Sequence, residues 1–185
     1  MKFVSYELIT TDAMASRIIE VFQDLEDPRK SNATKHDFAE MLTLAVIAAV
    51  CGCTTCVDIE NFSKVHKDFL HTFLKLKHDI PSHDAFSRLF RILDPEAFEG
   101  SLLKLADMFN RHLSGVVNTI DTNSLTRKFN QPPRKSVIYL LNVFGLCTQA
   151  TFSGSDGDEE QQTAATAVTI SPYLQRFCTT GSDEA

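Results

Sequence analysis

The sequence lacks three things that would place it quickly: an excess of positive charge, a secretory leader and an apolar run long enough to span a bilayer. Its 18 Lys and Arg face 24 Asp and Glu, a formal charge of -6 over 185 residues, so composition does not announce a nucleic-acid binder. Met1 to Asp12 holds neither a continuous apolar core nor a small-residue cleavage site. The five cysteines are therefore expected as thiols in a reducing compartment, the cytoplasm. The most apolar run, Phe38 to Cys51, includes Glu40 and Thr43 and is too short to cross a membrane. It reads as a buried helix.

Common metal signatures are missing too. Cys51, Cys53 and Cys56 in "CGCTTC" are not followed by a second Cys-x-x-Cys or a His pair at finger spacing, so packed thiols are expected there rather than zinc. The acidic run Asp156 to Glu160 has neither the alternating register nor the closing glutamate of a calcium loop and reads as a solvated tail. No internal repeat is present.

What is there is a charge asymmetry and a series of helix signals. From Ala150 onward six acids face the single base Arg176, leaving residues 1–149 nearly neutral. Ile18, Ile19, Phe22 and Leu25 predict a helix over residues 15–26, ended by Asp27-Pro28. Asp37 and Glu40 have the spacing of a capping box at the start of the next helix. After Gly52, Ile59, Phe62, His66, Phe69, Leu70, Phe73 and Leu74 keep one stripe over about four turns. Pro81 stops that helix, Ser82 caps another, and Phe86, Leu89, Phe90 and Leu93 fall at i, i+3, i+4 and i+7. Asp94-Pro95 opens a further helix whose stripe, Phe98, Leu102, Leu105 and Phe109, runs to about Leu113.

At Gly115 the pattern changes. "VVNTID" (116–121) is rich in β-branched residues and "VIYLLNVFG" (137–145) is a near-continuous apolar run, so both read as strands, joined as an antiparallel pair by a polar loop. That loop carries Arg127, Lys128, Arg134 and Lys135; a second basic loop holds Arg29, Lys30 and Lys35. The expected organisation is an N-terminal extension (1–14), a helical domain (15–113), a strand-bearing segment (114–150) and a polar acidic tail (151–185).

Two places invite a chemical reading. His83-Asp84 resembles a metal-ligand pair, but an Asp in the first turn of a helix is explained by the helix dipole. Asp121, at the end of the first expected strand, suits either a turn or a carboxylate that holds a divalent metal.

The runs "FQDLEDPRK", "LTLAVIAAVCG", "DIENFSK", "IPSHDAFSRLFRILDPEAFEG" and "VVNTIDTNSLTRKF" together resemble the H-repeat-associated family of bacterial insertion-sequence transposases, over about Phe22 to Leu146. The resemblance implies a mainly α chain: a helical N-terminal domain followed by the first strands of an incomplete, truncated ribonuclease-H-like α/β domain of the DDE type. It implies that Asp121 is the first acid of a catalytic triad that binds Mg2+, although Thr122 and Asn123 stand where the family has Gly and Lys. The second and third acids have no counterpart here, so the resemblance implies a transposition-linked protein that contacts DNA at element ends through the two basic loops without cutting it, with no functional Mg2+ site of its own. A homo-oligomer or a full-length transposase is the implied protein partner. The alternative reading is a helical interaction or dimerisation module with no DNA activity.

Overall fold

The computed structural model describes residues 11–29, 35–113, 120–130 and 136–153. Among them are eight helices: α1 (Thr11–Gln23), α2 (Phe38–Val50), α3 (Cys56–Val65), α4 (Lys67–Leu70), α5 (His83–Ile92), α6 (Pro95–Leu113), α7 (Thr122–Phe129) and α8 (Val137–Ser153). No helix among the described residues is long and apolar enough to cross a membrane.

Helix α2 is the centre, with α1, α3 and α8 packed around it. Twelve of its thirteen residues are buried, which is why it shows no one-sided stripe in sequence. Asp37 caps it by accepting from the Glu40 amide at 2.9 Å. The Glu40 side chain does not complete a capping box but reaches the Lys75 amide at 2.8 Å. At the other end Gly52 (φ 95°) lets Gly52 N and Cys53 N return to Ala49 O and Ala48 O, the paired bonds that close a helix through a left-handed residue.

The capping box forms instead at α3, between Thr55 and Asp58. The single helix expected from Ile59 to Leu74 is interrupted at His66 (φ -100°, ψ 21°). His66 N still reaches Phe62 O and Leu70 N still reaches His66 O, so the apolar stripe crosses the break. Ser82 caps α5 through the Ala85 amide, and Asp94 accepts from the Glu96 amide as α6 begins. Phe22 of α1 stacks on Phe98 of α6 with ring centroids 6.0 Å apart. Of the phenylalanines on the sequence stripes, Phe86, Phe90, Phe98 and Phe109 are buried, whereas Phe62 and Phe73 are half-buried at the rim of the core and half-buried Phe69 meets Phe73 edge to face.

Beyond α6 the sequence expectation fails. Residues 137–145, expected as a strand, form the first half of α8, and residues 120–121, the described end of the other expected strand, are irregular backbone leading into α7. Residues 116–119 lie outside the described part. The loop expected after Asp121 contains α7, amphipathic through Leu125 and Phe129, both fully buried. The reason for the misreading is burial. α8 packs against α2, α5, α6 and α7, with Val137, Leu140, Leu141 and Phe144 fully buried. Such a helix reads as an unbroken apolar run, which periodicity alone cannot separate from a buried strand. Gly145 marks its closest approach to α2: a Cβ added there would lie 2.4 Å from Ala49 O.

α7 and α8 share one hydrophobic core with α1–α6. A ribonuclease-H-like sheet has no counterpart among the described residues.

Candidate nucleic-acid interface

One end of α2 opens into a cleft of about 340 Å3 between its first turn, the Asp27–Arg29 corner and the segment from Leu76 to Pro81. The sequence folds this way because that segment is pinned on both sides. Leu76 is buried at φ 41° and Asp79 stands at φ 68°, and a tight turn joins Asp79 N to Leu76 O at 2.9 Å. Two excursions of non-glycine residues into the left-handed region within four positions are costly unless the surroundings fix them. Here Asp79 bonds the Ile80 amide and pairs with Lys67 at 3.0 Å, which holds its carboxyl below the usual range. The result presents Lys77 and His78 toward Lys35 and His36 across the cleft.

The carboxylates at the cleft are already engaged. Asp27 holds Arg29 in a two-pronged pair, Nε and Nη2 at 2.9 and 2.8 Å, and this pairing keeps its own carboxyl low. Asp37 caps α2 and Glu40 holds the Lys75 amide. Lys35 and Lys77, by contrast, form no ion pair among the described residues. His36 and His78 meet edge to face, with centroids 6.5 Å apart. Burial first, then the neighbouring charges of Lys35, His78 and Arg29, push the His36 imidazole below its ordinary pKa.

The residues expected to meet DNA are distributed unevenly. Arg29 is a structural group, its side chain only 13 % exposed, with its guanidinium lying over the Phe38 ring. Lys35 is exposed and lines the cleft. Arg127 and Lys128 sit in the last turn of α7, outside the cleft. Arg127 is exposed and bonds Ser124 Oγ, while the Lys128 carbonyl accepts from the Tyr139 hydroxyl. Lys30, Arg134 and Lys135 fall outside the described residues. Sequence reasoning missed His36, Lys77 and His78; the signal for the last two is the dense "KLKHD" at 75–79.

Asp121 is the N-cap of α7, its Oδ1 accepting from the Asn123 amide at 3.0 Å. Among the described residues no three His, Cys, Asp or Glu side chains gather to hold a metal. His83 begins α5, and Glu60 of α3 accepts from its backbone amide at 2.7 Å and contacts its Nδ1 at 2.6 Å. Lys64 binds the other Glu60 oxygen. Lys64 foremost, with the His83 contacts, draws the Glu60 carboxyl down to about 2. His83 thus ties α5 to α3. Cys51, Cys53 and Cys56 are half-buried thiols around the α2–α3 junction, and burial pushes Cys56 up.

Residues 19–106 match the DDE_Tnp_1-associated family. The chain is 24% identical over 129 residues to the H repeat-associated putative transposase YhhI of Escherichia coli K12, covering 69% of this chain and 34% of that protein. It is 35% identical over 86 residues to a protein in the dhlA 3' region of Xanthobacter autotrophicus, covering 46% of this chain and 29% of that one. The inactive transposase YbfQ of E. coli K12 is 29% identical over 73 residues, 40% of this chain and 87% of that one. The chain thus spans about a third of the length of the first two. No solved structure matches.

Proposed function

We propose that this chain serves DNA transposition as a helical module that contacts DNA and does not cut it. The observation that carries the reading is that, among the exposed or half-exposed bases with no ion pair among the described residues, Lys35 and Lys77 meet at the cleft and Arg127 and Lys128 stand together in the last turn of α7. The match to a transposase-associated domain supplies the context. Side chains on a loop and a helix end meet phosphates rather than base edges, so binding is weak, sequence-tolerant and strongly salt-dependent. The acidic composition after Ala150 opposes it within a Debye length of about 8–10 Å.

Strand cleavage by the intact family calls for two metal ions that clamp the attacking and leaving oxygens. Asp121, spent on a helix cap, does not build that clamp with any described neighbour. Anisotropy with a short duplex at 20 to 200 mM salt tests the binding, and incubation with supercoiled DNA in magnesium or manganese tests the chemistry. Expected are a steep salt slope and no nicking. Absence of binding at the lowest salt would favour a helical interaction module instead. Metal-dependent nicking abolished by Asp121→Asn would overturn the non-cutting part.

A further inference from the structure

We propose that the cleft at the start of α2 is a phosphate clamp in which Lys35 and Lys77 hold one oxyanion and His36 and His78 join them once protonated. The phosphate is taken to be a phosphodiester of the DNA backbone, and that source, though not the site itself, rests on the DNA-contact reading above.

The charge inventory points to an anion. On the α2 side stand Lys35, His36, Asp37 and Glu40; on the opposite side stand Lys77, His78 and Asp79; Asp27 and Arg29 close the corner. Each of the four carboxylates is satisfied by a guanidinium, an ammonium or a backbone amide. With neutral histidines the lining cations Arg29, Lys35 and Lys77 balance Asp27, Asp37 and Glu40 in formal charge, but Lys35 and Lys77 form no ion pair among the described residues and face a cavity of about 340 Å3, large enough for a phosphate group with its hydration. The backbone offers the second argument. A loop that holds Leu76 at φ 41° and Asp79 at φ 68° keeps a strained turn in place, and its evident product is to set Lys77 and His78 opposite Lys35 and His36. Strain of this kind collects at ligand clamps.

The histidines give the clamp a pH dependence of fixed sign. His36 is held below its ordinary pKa partly by the cations around it; an anion among those cations reverses that influence and favours the imidazolium. Binding therefore takes up protons and strengthens as pH falls, by at most about tenfold per pH unit for each proton gained. A phosphodiester site made of lysines and arginines alone would show no such dependence between pH 5.5 and 8.

The test follows the His36 and His78 imidazole Cε1 protons of the full chain by NMR, assigned with H36Q and H78Q, while pH is varied with no ligand, with inorganic phosphate and with a short DNA duplex. Expected are titration midpoints displaced upward by duplex and phosphate alike. In K35Q/K77Q, both exposed positions that leave the core intact, the displacement disappears, duplex affinity falls about tenfold between 50 and 200 mM salt and the salt slope drops by about 2. R127Q/K128Q keeps the displacement. Duplex binding that moves neither histidine, with no displacement by inorganic phosphate either, overturns the clamp and leaves the DNA-contact reading standing. Displacement by inorganic phosphate but not by duplex overturns the DNA source and keeps the site. No response to either ligand overturns the clamp altogether.

Discussion

α5 and α8 bury equivalent aromatic anchors, Phe86 and Phe144, each fully removed from solvent, yet only α5 announces itself in the sequence. The difference lies in what surrounds them. α5 keeps a wet face, with Arg88 and Arg91 exposed beside buried Phe86, Leu89 and Phe90, so its apolar positions recur at helical spacing. α8 packs against α2, α5, α6 and α7, and its less buried positions are filled largely by apolar side chains, among them Ile138, Val143 and the exposed Leu146, so few polar residues mark the turn. Periodicity reports a helix's exposure as much as its conformation.

The largest effects bear on whether the two helices share one core. Phe86→Ala and Phe144→Ala should each cost about 3–5 kcal/mol in urea melts, in a single transition. A Phe144→Ala loss under about 1 kcal/mol would mean that α8 is peripheral. Next comes the helix contact itself. Gly145→Val places a side chain where Ala49 O stands and should cost at least about 1–3 kcal/mol through forced separation of α2 and α8. An unchanged melt would argue that 137–145 is extended, as its composition first suggested.

Smaller effects compare the caps. Ser82→Ala and Asp121→Ala should each cost about 0.5–2 kcal/mol, while Asp121→Asn, which keeps a capping oxygen, should be nearly silent. Equal losses for Ala and Asn at 121 would mean that charge, not the cap, matters there. The smallest effect is the pH response. His36 and His66 are both held below their ordinary pKa, chiefly by burial, so the unfolded chain takes up protons first as pH falls. Stability is full above about pH 6.5 and declines below it. Glu60, drawn down to about 2, contributes above its ordinary 4.5 and loses that contribution between 4.5 and 2. His66→Gln should flatten the first decline only; thermal melts at pH 5 and 8 measure it.

The legible parts of the fold were those with punctuation. Ser82, Asp94-Pro95 and Asp37 each satisfy free amides that any helix start exposes, and their chemistry does not depend on distant neighbours. α7 was legible in principle, since Asp121 caps it and Leu125 and Phe129 stand four apart, but a strand assigned on either side made the segment read as a loop. The site was less legible. Lys35 carried a visible signal, whereas Arg29 belongs to Asp27, a pairing that the chain's turn at Pro28 creates. The opposition of His36 to His78 depends on a loop some forty residues later coming back beside α2, and no local pattern encodes that.

Helix α2 touches the cleft with its first turn and α8 with its last, where Gln149 Nε2 bonds Ala49 O and Val50 O. At about 1.5 Å per residue it is a strut of roughly 20 Å joining the two. A ligand at the cleft that suppresses fraying of the first turn lowers the opening frequency of the whole rod, because a helix sealed at both ends exchanges its amides as one cooperative unit. Occupancy of the cleft should therefore be audible at the far end, as slower hydrogen exchange at the amides of Ala48 and Ala49.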